Sequence, residues 1–191
     1  MWALVLSLAL FSSLTRGELG EYEKKFHEAA LAGNAQRIKE ILDKDIVDVN
    51  VATDHGETAL FLAAEFGHLE AVKVLMEAKA KVDIETDYGR QPVWMAAKEG
   101  YDDVVMALIQ ADDIDHAQRH FYTVLITLGV AKGFLKHAES VGAEDEMHLE
   151  HLDEDLLNSF YATLPPAKKR KLVTALNWLK HLHNNRNKDE L

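Results

Sequence analysis

"HGETALFLAAEFGHLEAVKVLMEAKAKVDIETD", residues 55–87, is the stretch on which the fold of this chain turns. Apolar residues recur at helical spacing on both sides of Gly67: Leu60, Ala63 and Ala64 before it, Val72, Leu75 and Met76 after it. A residue without Cβ takes the left-handed helix cap at little cost. Gly67 therefore ends a short first helix, and His68-Leu69-Glu70 opens a second. The paired alanines let a neighbouring helix approach closely. Thr53-Asp54-His55-Gly56 and Thr86-Asp87-Tyr88-Gly89 are tight-turn chemistry at the two boundaries. One such helix pair cannot bury its own apolar stripe, so at least ~3 must stack.

The flanking sequence supplies the neighbours. Shifted by 33 positions, "YGRQPVWMAAKEGYDDVVMALIQA" puts Gly89 on Gly56, Ala96-Ala97 on Ala63-Ala64 and Gly100 on Gly67. Shifted by 34, "KKFHEAALAGNAQRIKEILDKDIVDVN" aligns Ala29-Ala30, Gly33 and Ile41-Leu42, with the extra residue expected near Lys44–Val47. This pattern resembles the ankyrin repeat family, whose units carry a turn and two antiparallel helices. The family's T-P-L-H opening is matched by Lys24-Lys25-Phe26-His27, Thr58-Ala59-Leu60-Phe61 and Gln91-Pro92-Val93-Trp94. The resemblance implies an all-α solenoid over 22–118, in units 22–54, 55–87 and 88–118. It also implies that the His of that motif bonds between adjacent turns. His27 alone keeps it, so the interfaces at Phe61 and Trp94 are expected to rely on packing. The third unit's tail, "ADDIDHAQ", lacks the usual glycine and runs short, a place where the stack could bend.

Beyond Gln118 the match decays. A further shift of 33 lays "LGVAKG", residues 128–133, on "MAAKEG", with Gly133 under Gly100; 119–143 is read as a degenerate fourth unit. Leu152, Leu156, Phe160 and Leu164 mark a helix, and "LPPAKKRKLVTALNWLKHLHNN" another, opened by proline with Leu172, Leu176, Leu179 and Leu182 inward. Residues 150–183 are expected to form a helical cap over the end of the stack. Residues 184–191 are expected to fray as a polar tail.

The two ends read as addresses. "MWALVLSLALFSS" has an apolar run from Trp2 to Phe11, of secretory h-region length and too short to span a bilayer. Cleavage after Gly17 would make 1–17 a signal peptide and leave no membrane insertion. Lys188-Asp189-Glu190-Leu191 is the receptor-read signal for retention in the endoplasmic reticulum (ER) lumen. By resemblance, KDEL receptors would be its reader. No asparagine lies in an N-x-[ST] pattern, so no N-glycan is expected.

Charge and motifs exclude several classes. A formal charge of −11 opposes nucleic acid and anionic membranes. With no cysteine, disulfide, thiolate and zinc–thiolate chemistry is absent, including that of disulfide isomerases. No Walker loop, nucleophile elbow or G-x-G-x-x-G occurs, so no catalysis and no cofactor are expected. His148 and His151, with Glu150, Asp153 and Asp155, are read as a solvated acidic face, and no metal is assigned. "PAKKRKLV", residues 166–173, is read as an exposed helix face and not a nuclear signal.

The reading that emerges is a non-enzymatic protein-binding module or scaffold in the ER lumen. A holdase for unfolded secretory clients and an exported effector are the alternatives. The family binds partners along a concave face of turn tips and first helices. Carried onto this chain, that face comprises Asp54, His55 and Glu57 in one turn and Asp87, Tyr88 and Arg90 in the next. Glu65, Phe66, Lys98 and Glu99 line the first-helix ends, with Phe66 and Tyr88 as anchors.

Overall fold

The computed structural model describes residues 16–111, 114, 116–140, 158 and 160–189. Their helices are α1 (Arg16–Leu31), α2 (Ala35–Leu42), α3 (Ala59–Glu65), α4 (Leu69–Glu77), α5 (Pro92–Glu99), α6 (Asp102–Leu108), α7 (His116–Leu128), α8 (Ala131–Ser140) and α9 (Pro166–Asp189). Among the described residues the β structure is an isolated bridge between Ala52 and Thr58. The first six helices form three antiparallel pairs. In one layer α3 packs between α1 and α5; in the other α4 packs between α2 and α6.

Local chemistry starts and stops these helices. Thr58 Oγ1 accepts the Phe61 N–H at 3.2 Å at the start of α3, and Pro92 opens α5, where its missing N–H removes no helical bond. Gly67 closes α3 at φ +72, and a Cβ there would lie 2.4 Å from the Tyr101 ring. That ring belongs to the next unit. The contact repeats along the stack: the His68 ring rests on Gly33 and the Lys132 side chain on Gly100. His68 Nε2 lies 2.9 Å from the Leu31 carbonyl, and Lys132 Nζ donates to the Glu99 carbonyl at 2.8 Å.

The core follows the expected stripes. Leu60, Ala63, Ala64, Val72 and Leu75 are fully buried, as are Phe26, Ala30, Trp94, Ala96 and Ala97. Met76 is half-buried against them. His27 Nε2 lies 2.9 Å from the Val51 carbonyl, linking α1 to the segment that leads into the 53–56 turn. Phe61 and Trp94 are packed, and Trp94 Nε1 is buried without a hydrogen-bond partner. Packing must therefore outweigh an orphaned donor worth about 1–3 kcal/mol. Asp45 and Lys79 hold the same left-handed position after α2 and α4, at φ 53 and 66. The extra residue of the first unit therefore falls after Asp45 and before Thr53, a span that overlaps the Lys44–Val47 stretch indicated by the sequence pattern.

The fourth layer departs from the expected register. It is a helix pair, but Gly129 at φ 64 makes the turn and Gly133 lies inside α8. The 33-residue shift places Gly129-Val130 where an ankyrin unit needs its helical Ala-Ala, and the left-handed glycine breaks the helix there. It is α8, not α7, that packs on α5. α8 begins at the C-terminal end of α5, where Lys132 binds Glu99, and Glu139 near its own end reaches Arg90 ahead of α5. It thus runs back along α5. Phe134, Leu135 and Ala138 are fully buried in this contact region.

α9 packs across α7 with Leu172, Ala175 and Leu176 buried. Phe160 meets Phe134 edge-on at 5.7 Å and stacks on His137 at 5.6 Å. Leu164, expected in the preceding helix, lies in the bend before Pro165. The basic run is partly structural: Lys168 Nζ donates to the Leu128 carbonyl at 2.6 Å, and Lys169 lies over the buried Tyr161 ring. Arg170 and Lys171 remain exposed. α9 continues to Asp189 through the stretch expected to fray, and residues 183–189 contain no glycine or proline to stop it. Lys188 and Asp189 fall in the last turn of α9, whereas Glu190, Leu191, residues 1–15 and the 148–155 His/acidic stretch lie outside the described residues. Gly17, the expected cleavage point, sits in the first turn of α1. Among the described residues no helix is long and apolar enough to cross a membrane, and no His/Cys/Asp/Glu group fits a metal ion.

Candidate protein-binding face

The two turn tips are built alike. Thr53 Oγ1 accepts the His55 and Glu57 N–H groups at 3.3 Å, and Thr86 Oγ1 accepts those of Tyr88 and Arg90 at 3.4 and 3.3 Å. A threonine hydroxyl satisfying two amides fixes each turn without outside help. The turns also bind one another: the Asp87 N–H donates to the His55 carbonyl at 3.1 Å. Gly56 permits this, because a Cβ there would lie 2.9 Å from the Asp87 nitrogen. Asp54, His55, Asp87 and Tyr88 are consequently displayed on a rigid edge, all exposed, Tyr88 at 62%.

The first-helix ends form a second row. Leu31-Ala32, Glu65-Phe66 and Lys98-Glu99 hold the same register position in the three units. Phe66 is 49% exposed and stacks with His68 at 6.4 Å between ring centroids. Tyr88 precedes α5 whereas Phe66 follows α3, a seven-residue helix about 10 Å long. The two aromatics thus sit on opposite margins of the face and do not form one patch. Burial pushes the Glu65 carboxyl above its ordinary value, with the Glu57 carboxylate adding and Arg90 opposing. Glu57 also accepts from Thr53 Oγ1 at 3.2 Å.

The third unit's end is occupied by the chain itself. Lys98 Nζ donates to Glu139 Oε1 at 2.6 Å, and its side chain is only 13% exposed. Arg90 reaches the same carboxylate oxygen at 3.6 Å, and Glu99 meets Lys136 at 3.6 Å. Of the ten residues read from the sequence, Arg90, Lys98 and Glu99 are thus engaged by α8. The sequence reading passed over Leu31, 41% exposed, although the 34-residue shift that matched Ala29-Ala30 also puts it under Glu65. Leu31 lines a cleft of about 410 Å³ with Glu23, Lys24, His27 and Glu28 of α1 and Ala52–Asp54 of the next turn.

Known proteins carry the same architecture in this segment. Residues 26–119 match the family model for ankyrin repeats in three copies. The stack is an ankyrin-repeat solenoid. A cortactin-binding protein 2 from Ornithorhynchus anatinus is 34% identical over 73 residues, covering 38% of this chain and 4% of that protein. An ankyrin repeat and SAM domain-containing protein 6 from Danio rerio is 44% identical over 57 residues, covering 30% of this chain and 8% of that protein. The chain thus spans a small fraction of these relatives. It carries a protein-binding repeat module.

Proposed function

We propose that this chain is a non-enzymatic ankyrin-repeat scaffold that works in the ER lumen, holding a specific protein partner against its concave face. One observation carries the binding part: the turn edge and the first-helix ends of the first two units stand uncovered, with Phe66 exposed on the second and Tyr88 on the turn that opens the third. Large aromatic side chains on a recessed, rigid face contribute disproportionately to interface energy. The lumenal part rests on the apolar stretch Trp2–Phe11 and on Lys188-Asp189-Glu190-Leu191 as an address. The KDEL receptor is then a second, transient partner. The name of the cortactin-binding relative belongs to that protein; what carries over is the class of partner, a protein.

Lumenal proximity labelling with the tag placed after Gly17 tests both parts. A short, reproducible set of neighbours lost on Phe66→Ala with Tyr88→Ala is the expected result. Labelling of many unrelated secretory chains would favour the holdase reading instead. Removal of residues 188–191 is expected to release the protein into the medium; unchanged retention would overturn the lumenal address.

A further inference from the structure

The covering of the third unit shows what the inner edge of this stack accepts. There α8 answers charge with its opposite: Glu139 takes Lys98 at 2.6 Å and Arg90 at 3.6 Å, while Lys136 Nζ meets the Glu99 carboxylate at 3.6 Å. The equivalent edge of the first two units is left open. Its cleft is lined by α1 on one side and the 52–54 segment on the other, and the lining contains three carboxylates, Glu23, Glu28 and Asp54, to one lysine, Lys24. Lys24 is already 3.8 Å from Glu28. Further along, Glu65 lies within the field of Glu57, and the cations that oppose it, Arg90 and Lys98, are held by Glu139. Apolar surface accompanies the charge. Leu31 lines the cleft, and Phe66 continues from it through His68, whose Nε2 lies 2.9 Å from the Leu31 carbonyl.

The geometry points to a basic, partly apolar peptide segment as the occupant of this cleft, with Lys or Arg between the walls and an apolar side chain on Leu31 and Phe66. Charge complementarity selects it: α8 supplies a carboxylate where the third unit offers Arg90 and Lys98, and the carboxylate-rich lining of the first unit calls for the opposite, a basic segment. This inference rests on the protein-binding reading above and names the chemistry of the partner.

Fluorescence anisotropy on the purified chain tests it, with a labelled peptide of alternating Arg and Leu and a Glu/Leu counterpart as probes. The Arg/Leu peptide is expected to bind, weakening steeply as salt rises from ~0.05 to ~0.2 M, and the Glu/Leu peptide to fail. Glu28→Lys with Asp54→Lys, one change on each wall, is expected to lower affinity about tenfold or more. Asp43→Lys with Glu77→Lys makes the same net charge change on the exposed ends of α2 and α4, and is expected to alter it less than about twofold. Leu31→Ala with Phe66→Ala is expected to cost roughly tenfold by removing the apolar half of the contact. Circular dichroism confirms that each variant is folded. Equal losses from the cleft and control pairs would reduce the binding to attraction by overall charge and overturn the inference. So would equal binding of both peptides, or none. If the proximity-labelled partner is still captured through Phe66 and Tyr88 in that event, the scaffold reading stands and only the partner's chemistry is wrong.

Discussion

Glu65-Phe66 and Lys98-Glu99 occupy equivalent places in adjacent units of one stack, yet they meet opposite fates. Phe66 is left half in solvent, while Lys98 is sealed beneath Glu139 with 13% of its side chain accessible. The repeat pattern alone makes both residues candidates for partner contact. What separates them is a helix that begins more than 30 residues later and folds back over the third unit only. In a solenoid, then, identical register does not mean identical availability, because the end of the stack must be closed and the closure takes surface from its last unit.

The comparison can be broken most forcefully at α8. Phe134 is fully buried between α8 and the rings of Phe121 and Phe160. Phe134→Ala is expected to cost about 3–5 kcal/mol in chemical denaturation and to raise amide exchange in α8 and α5 before α3. Uniform loosening of all three units would mean that the closure is not local. Gly67 tests the regular part. Gly67→Ala forces a left-handed alanine against the Tyr101 ring, and is expected to cost roughly 2–3 kcal/mol, read as a lowered melting temperature.

Smaller effects sharpen the contrast. Glu139→Gln removes the charge shared by Arg90 and Lys98, whose pairing is partly solvent-screened, and should cost about 1 kcal/mol while making Lys98 more reactive to amine acylation. At the open end the sign reverses. Glu65 has a raised pKa in the folded chain, so the folded state holds its proton to higher pH than the unfolded state does. Its contribution is therefore unfavourable once pH exceeds its folded pKa, and absent well below its unfolded one. Glu65→Gln is expected to raise the melting temperature slightly at neutral pH and leave it unchanged in acid. The opposite pH dependence would show that Glu65 is satisfied rather than crowded.

The regular stack was legible because the same local instructions recur: an alanine pair and a glycine stop in all three units, and a threonine-glycine turn at the two boundaries between them. Those signals act within a few residues, so reading them needs no knowledge of the rest of the chain. The fourth layer misled the register because a shift of 33 matched Gly133 to Gly100 while Gly129 made the turn. Two glycines four residues apart each offer a stop, and the packing of α8 on α5 decides between them. The turn-edge residues were likewise readable from turn chemistry. The loss of Arg90, Lys98 and Glu99 to α8 was not, since Lys98 meets a carboxylate 41 positions away with no local signal at either end.

The reversal of α8 along α5 also sets how this architecture could change in length. A stack that ends by reversal has a terminator, and a terminator fixes where growth is allowed. Copying residues 88–118 would reproduce the same docking surface for α8 at a new end, so the array could gain a unit and still close. Copying α8 itself would stack a reversed helix on a reversed helix, with no Arg90, Lys98 or Glu99 waiting beneath it. The molecule can therefore be lengthened from within and not from beyond its closing helix.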